Sequence, residues 1–279
     1  MGKFVDEHLI GLRVNGTKGE GKELRKKYEV RGFPTVLFLN GNGDEIDRIF
    51  GYSGNKEATF ETIQDYAQGK NTLVSYQAKI AQDPDNIELN FKLAQKHSSR
   101  WEAEQAKLYF EKVLKLDPAD SKGFKTESVF NLNVYKARYK QNVEPLQNFM
   151  DKNTDEKYFE TGYSNLLRCY SKAKDQDKVV ATYEAAVNKM ASNHNIFNAY
   201  AWFIYEEKLA HKYDRGIELA KKAVKLKPDA AHIWDTLAWL QFEKGNKKAA
   251  IKAMKKAVEI APEVKGYNKN LEKMEQSDS

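Results

Sequence analysis

The sequence predicts an α/β segment at the N-terminus followed by an all-α region built from pairs of helices. Two strand-like runs around a glycine-rich turn lie within the first 70 residues. After Gly69-Lys70-Asn71 the strand-like patterns stop, and amphipathic helical patterns follow one another to the end of the chain. Residues spaced at a constant interval recur within that helical region. We therefore predict two domains, residues 1–70 and residues 71–279.

The first domain is organised around Pro34 and the apolar run after it. Proline has no N–H to donate to a sheet, so Pro34 must precede the strand that Thr35 begins. Val36 to Leu39 has no polar alternation, which predicts a strand buried on both faces. Asn40-Gly41-Asn42-Gly43 predicts a hairpin turn, and Glu45 to Phe50 is then the returning strand.

Three further elements flank this hairpin. Leu9 to Val14 has the pattern of a strand, and Gly21 to Val30 has the pattern of a helix. Ala58 to Ala67 predicts a closing amphipathic helix, because Phe60, Ile63 and Ala67 recur at helical spacing.

In this order of elements, the segment resembles the C-terminal half of a thioredoxin-like domain. The matching residues are Lys26 to Thr35, Asn40 to Gly43, and Gly51-Tyr52, and Phe4 to Leu9 resembles the end of the helix that follows the family's dithiol. The resemblance implies a cis peptide bond before Pro34. It also implies that the loop Gly32, Phe33, Pro34 and Thr35 faces the position of the family's redox site.

The half of the family's domain that carries the Cys-x-x-Cys pair is absent from this sequence. The single cysteine, Cys169, lies far along the chain, so the chain as given cannot perform dithiol chemistry. In the family, the missing strand lies between the two strands matched by Leu9 to Val14 and by Thr35 to Leu39. We expect either that Met1 is not the natural start or that the domain is degenerate.

The second domain contains an internal repeat. Trp234, Leu237, Ala238, Gly245, Ala250, Ala257 and Pro262 fall at offsets 3, 6, 7, 14, 19, 26 and 31 from Ala231. These spacings resemble the tetratricopeptide (TPR) repeat of about 34 residues. An earlier copy begins at Ile87 and ends at Pro118. Weaker copies are marked by Leu166, Leu167, Tyr170, Val179, Tyr183 and Ala186, and by Tyr200, Ala201, Gly216, Ala223 and Pro228.

Two other segments complete the predicted array. Glu127 to Asp151 keeps a helical pattern without most of the signature and is a degenerate repeat, and Asn268 to Met274 is a C-terminal cap helix. We expect breaks between helices near Pro84, Pro118, Pro228 and Pro262, because a helix cannot continue through proline. The predicted fold is a partial thioredoxin-like fold followed by a TPR superhelix.

The TPR resemblance also predicts a binding surface. In that family the first helices of successive pairs line a concave face, which places six residues of this chain along a peptide-binding groove: Asn198, Trp202, Tyr205, Asp235, Trp239 and Phe242. If the four aromatic residues bind a ligand, they should be partly exposed along one surface. The alternative is that they fill the seams between helices.

No cofactor or metal is predicted, and no catalytic residue is assigned. The five histidines are scattered, and none forms a pair at metal-ligand spacing. Gly16 to Lys22 has the spacing of a phosphate-binding loop, but Glu23 stands where such a loop needs a serine or threonine. The predicted state of Cys169 is a packed thiol.

Composition and charge restrict the partners and the compartment. No apolar run approaches the roughly 20 residues of a membrane helix, and the chain as given does not begin with a signal peptide. We therefore expect a cytoplasmic protein without a membrane partner, or a periplasmic or secreted one if an export signal is missing. The net charge of +6 comes mostly from helical lysines without aromatic neighbours, which favours a solvated face over nucleic-acid binding.

Two functions are the main hypotheses, and a nucleic-acid-binding array is a third, weaker one. The first is a TPR scaffold that binds a protein or peptide segment in its groove and carries a redox-inactive thioredoxin-like remnant. The alternative is a thiol-disulfide oxidoreductase whose N-terminal Cys-x-x-Cys half is missing from this sequence.

Overall fold

The computed structural model describes residues 2–52 and 54–277. By its contacts the chain divides into two compact units, Met1–Lys136 and Ala137–Ser279. The first unit contains residues on both sides of the predicted domain boundary between residues 70 and 71. That boundary separates two fold families, and it stays a prediction.

The first unit combines a small sheet with helices. Its elements are, in chain order, α1 (Gly2–His8), α2 (Gly21–Lys27), β1 (Thr35–Leu39), β2 (Glu45–Phe50), α3 (Lys56–Ala67), α4 (Leu73–Gln82), α5 (Ile87–Ser99), α6 (Ala103–Leu116) and α7 (Lys125–Lys140), the last of which crosses into the second unit.

The two strands form the predicted hairpin. They pair antiparallel, with Thr35 opposite Phe50 and Leu39 opposite Glu45. The Asn40 side chain accepts hydrogen bonds of 2.9 Å from the N–H groups of Asn42 and Asp44, which holds the turn. Gly43 has a φ of +81°, a conformation that glycine adopts without steric cost.

The prediction of a strand over Leu9–Val14 is wrong. This segment forms no sheet within the described residues, and the side chains of Ile10 and Leu12 are 93% and 85% exposed. A strand is stable only when its N–H and C=O groups pair with a neighbouring strand. Among the described residues the sheet contains β1 and β2 only, so no strand pairs with this segment.

Two other expectations for the first domain also need correction. β1 is not buried on both faces, since Val36 and Leu39 are exposed. The helix predicted over Gly21–Val30 ends at Lys27. The chain turns there because Glu29 adopts a left-handed conformation and the Val30 N–H returns to the Arg25 carbonyl at 2.9 Å.

A cluster of buried charges joins β2 to α4 and α5. Asp47 on β2 is only 1% exposed. One of its carboxylate oxygens accepts hydrogen bonds from Lys96 on α5 and from the Leu73 N–H at the start of α4, the latter at 2.8 Å. The other accepts one from the Arg48 N–H at 2.7 Å and lies 3.5 Å from Arg100. The thioredoxin-like segment and the first helices of the array therefore share one ionic cluster.

Glu45 completes the cluster beside Asp47. Arg100 donates to Glu45 at 2.7 Å, and Arg48 donates to the same carboxylate through Nε and Nη2. Burial by itself would raise the pKa of Glu45, but the hydrogen bonds from Arg48 and Arg100 outweigh it and hold that pKa below the usual value.

The second unit consists of helices that pack in pairs. Its elements after α7 are α8 (Glu144–Lys152), a short 3₁₀ helix (Glu156–Tyr158), α9 (Phe159–Lys172), α10 (Gln176–Lys189), α11 (His194–Glu206), a second 3₁₀ helix (Ala210–Lys212), α12 (Tyr213–Leu226), α13 (Ala231–Glu243), α14 (Lys247–Ile260) and α15 (Lys265–Gln276). Helices α9 and α10, α11 and α12, and α13 and α14 are packed pairs, and α15 packs on α14.

The predicted helix breaks are confirmed. Pro84, Pro118, Pro228 and Pro262 each lie between two helices, and residues 72–275, all of which are described, contain no strand. Small residues stand where helices approach closely. A Cβ atom added to Gly216 would lie 3.0 Å from the Leu240 side chain and 3.3 Å from that of Ile204, so glycine allows α12 to approach α11 and α13.

We predict that Asp47→Asn destabilises the first unit by about 3 kcal/mol, because it leaves Lys96 and Arg100 buried without their full counter-charge. Urea unfolding followed by circular dichroism measures this. Asp6→Asn is the matched control, since Asp6 is exposed on α1. Equal unfolding midpoints for the two variants would contradict the prediction.

A second prediction concerns pH. Because the folded-state pKa of Glu45 is lowered, its charge contributes stability above the unfolded-state pKa, and this contribution disappears as the pH falls through the folded-state pKa. Glu45→Gln should therefore lower stability at neutral pH and flatten the loss of stability between about pH 6 and about pH 3. Glu61→Gln, on an exposed position of α3, should keep the wild-type slope.

Candidate functional site

The four predicted groove aromatics form one continuous row on α11 and α13. The ring centroids of Trp202 and Tyr205 are 5.0 Å apart, and those of Tyr205 and Trp239 are 5.5 Å apart. The row ends at Phe242, whose ring meets Trp239 edge-on at 6.0 Å. Residues of two successive helical pairs thus share one aromatic surface, as the repeat spacing predicts.

The expectation that all four aromatics are partly exposed is wrong for Trp239. Trp202, Tyr205 and Phe242 are half-buried, whereas Trp239 is only 8% exposed. Helix α15 contributes to this burial, since the Lys273 ammonium lies 5.0 Å from the centre of the Trp239 ring. In this structure Trp239 is therefore a packed residue, and the accessible part of the row begins at Trp202 and Tyr205.

The two predicted polar groove residues differ in their bonding. Asp235 accepts a hydrogen bond of 3.2 Å from the Asn270 side chain, and burial raises the pKa of its carboxyl group. The oxygen of the Asn198 amide is buried and has no hydrogen-bond partner among the described residues. The same holds for Nδ1 of His194, one turn earlier on α11.

These observations define a stripe along α11 that we name the α11 stripe: His194, Asn198, Trp202 and Tyr205. The four residues recur at intervals of four, four and three, so they lie on one side of the helix. The Asn193 side chain accepts hydrogen bonds from the N–H groups of Asn195 and Ile196, and this cap fixes where the helix begins. The stripe thus places two buried, unpaired polar atoms beside two half-buried aromatic rings.

Sequence reasoning missed three contributors to this region. His194 could have been found by extending the spacing one turn back from Asn198. Asn270 and Lys273 belong to the C-terminal helix, which the sequence identified only as a cap. Their spacing of three residues, next to the buried Met274, signals one face of that helix, but only the tertiary structure places that face against α13.

The second predicted site is the loop Gly32, Phe33, Pro34 and Thr35. The Phe33–Pro34 peptide bond is cis, as the resemblance implies. The Thr35 hydroxyl donates to the Gly32 carbonyl at 2.7 Å, and the Phe33 ring is 56% exposed. Trp101, from the loop between α5 and α6, stacks on Phe50 at 5.3 Å and lies next to Gly32.

Cys169 lies on α9 as a half-buried thiol that donates to the Ala137 carbonyl at 3.5 Å. Burial raises its pKa, which disfavours the thiolate that redox chemistry uses. Within the described residues no group of three or more histidine, cysteine, aspartate or glutamate side chains is arranged to hold a metal ion. Each helix in that part of the chain is too short or too polar to cross a bilayer.

The fold and these surfaces define a helical-repeat protein preceded by a small α/β segment. Comparison with family models agrees with both parts. Residues 5–68 match the model of a thioredoxin-like domain, and residues 89–120 and 231–264 match that of the tetratricopeptide repeat. The chain is thus a thioredoxin-like segment fused to TPR repeats. A sequence comparison with curated proteins gave no match.

Comparison with solved structures shows the same repeat fold. A crystal structure of the MamA protein aligns with a TM-score of 0.50 at 18% identity, over 65% of this chain and 94% of the other. MamA from Desulfovibrio magneticus RS-1 aligns with a TM-score of 0.48 at 18% identity, over 64% and 96%. YrrB, a TPR protein with an unusual peptide-binding site, aligns with a TM-score of 0.47 at 14% identity, over 70% and 96%.

We predict that Trp239→Ala destabilises the second unit by about 3 to 5 kcal/mol, because it empties a packed position. Trp202→Ala serves as the matched control and should cost less, since that ring is already half-exposed. Chemical unfolding of both variants measures the difference. If Trp239→Ala kept the wild-type midpoint, its assignment as a packed residue would fail.

Proposed function

We propose that this protein is a TPR scaffold that binds a peptide segment of a partner protein along the α11 stripe. The observation that carries the proposal is the buried, unpartnered amide oxygen of Asn198. A buried polar atom without a partner costs free energy, and a ligand that supplies a donor recovers it. Trp202 and Tyr205, on the same side of α11, supply apolar area for the side chains of that ligand.

An extended peptide fits this arrangement better than a small molecule. Its backbone N–H groups are donors at regular intervals, which suits the Asn198 oxygen, and its alternate side chains can contact an aromatic row. The row continues to Phe242 on the next helical pair, so several ligand residues in succession have a contact surface. The buried Trp239 supports this surface from below and is not itself a contact residue.

In this proposal the thioredoxin-like segment is redox-inactive in the chain as given. The only cysteine is Cys169, whose raised pKa makes it a poor nucleophile. The segment acts instead through its packing on α4 and α5, where the Asp47 cluster ties it to the start of the array. A thiol-disulfide oxidoreductase is the alternative function, and it requires a Cys-x-x-Cys pair outside this sequence.

The proposal is tested by selecting peptides that bind the full chain from a displayed library and measuring their dissociation constants. We expect Asn198→Ala to weaken binding about tenfold, because the ligand then loses its acceptor. Trp202→Ala should weaken it by a similar factor.

Asn195→Ala is the matched control for Asn198→Ala, since Asn195 is exposed on the same helix and lies off the stripe. It should change the affinity less than about twofold. The proposed function would be contradicted if no peptide could be selected, or if Asn195→Ala weakened binding as much as Asn198→Ala.

A further inference from the structure

A second surface, far from the α11 stripe in sequence and belonging to the first unit, has a different chemistry. A surface concavity beside α2 is lined by six residues: Lys22, Arg25, Lys26, Glu29, Val30 and Arg31. Four of them are cationic and one is acidic. We name this surface the α2 concavity.

Two of the four cations are held in place by the fold. The Arg25 guanidinium donates from Nε to the Val30 carbonyl at 3.1 Å and lies 5.3 Å from the centre of the exposed Phe33 ring. Arg31 donates to the Trp101 carbonyl at 3.0 Å. Both guanidinium groups keep further N–H donors beyond these contacts, so each can still bind a carboxylate.

The other two cations, Lys22 and Lys26, have no close ionic partner in the described part of the chain. Both line the concavity, and neither forms an ion pair with another described residue. They stand four residues apart on α2, and Lys22 stands three residues before Arg25. Three positive side chains therefore occupy one face of a seven-residue helix.

This placement works against the stability of α2. Like charges three and four residues apart repel on a helix, and a cation in the first turn, where Lys22 lies, is unfavourable next to the helix dipole. Arg25 and Lys26 in the last turn are favourable by the same rule. Glu23 in the same turn offsets part of the cost of Lys22, and an anionic ligand would offset more of it.

Glu29 indicates which anion the concavity accepts. Its side chain is well exposed, and its carboxylate lies 3.9 Å from Arg31. The chain thus already places a carboxylate of its own beside a cation of the concavity. An exposed ion pair at this distance is weak, so a ligand carboxylate can displace it.

We propose that the α2 concavity binds an acidic peptide segment, whose carboxylates contact Lys22, Lys26, Arg25 and Arg31. Val30 and the exposed Phe33 ring give apolar surface beside the charges, so acidic residues next to an apolar one fit best. A nucleic acid fits less well, because its continuous phosphate chain must also pass the carboxylates of Glu20, Glu23 and Glu29, whereas a short peptide can place its few carboxylates at the cations alone.

The test uses the full chain and a fluorescein-labelled peptide of alternating glutamate and leucine, with binding measured by fluorescence anisotropy at low salt. We expect Lys22→Glu and Lys26→Glu each to weaken binding about tenfold. The peptide in which glutamine replaces glutamate should not bind. Circular dichroism of each variant verifies that it is folded.

Lys18→Glu is the matched control, because Lys18 is exposed in the loop before α2 and does not line the concavity. It makes the same change in net charge and should alter the affinity less than about twofold. Glu29→Gln should instead tighten binding, since it removes the internal carboxylate that competes with the ligand.

Three results would overturn the proposal. Equal effects of Lys18→Glu and Lys22→Glu would mean that the peptide responds only to net charge. Tighter binding of a single-stranded oligonucleotide with the same number of charges would assign the surface to nucleic acid. If inorganic phosphate displaced the peptide at a concentration as low as the peptide's dissociation constant, the surface would be a simple anion site without preference for a peptide.

Discussion

Burial of the Asp47 carboxylate is the constraint on which the first unit depends. A buried charge is costly unless it is paired and hydrogen-bonded. Asp47 meets this requirement with partners from three elements: Arg48 of its own strand, Leu73 of α4, and Lys96 of α5 together with Arg100 just after that helix. A two-stranded hairpin is marginal in water by itself. Helices α4 and α5 support the hairpin through these contacts.

This arrangement explains why the contact boundary differs from the boundary of the fold families. Strand β2 and helix α5 form ion pairs with each other, and both belong to the same compact unit. Away from this cluster the first unit is less well covered: Val36 and Leu39 on β1, and Ile10 and Leu12 in the segment before α2, are exposed to solvent.

The two proposed binding surfaces use different physics. The α11 stripe offers an unpaired buried amide and aromatic area, which favour a peptide backbone and apolar side chains. The α2 concavity offers fixed guanidinium groups and unpaired lysines, which favour carboxylates. Affinity at the first surface should depend weakly on salt, whereas affinity at the second should fall as salt screens its charges. Each surface lies within its own unit, so each can be tested independently.

The sequence by itself determined the hairpin, the helical pairs and their breaks, because these follow from local rules: proline and glycine positions, helical periodicity and the repeat spacing. It also predicted that four aromatics of two repeats share one surface. Only the tertiary structure decided which of them are accessible, since Trp239 is buried where Lys273 of a distant helix packs on it. For the same reason local pattern failed at Leu9–Val14: a strand exists only where another strand pairs with it, and periodicity carries no information about that neighbour.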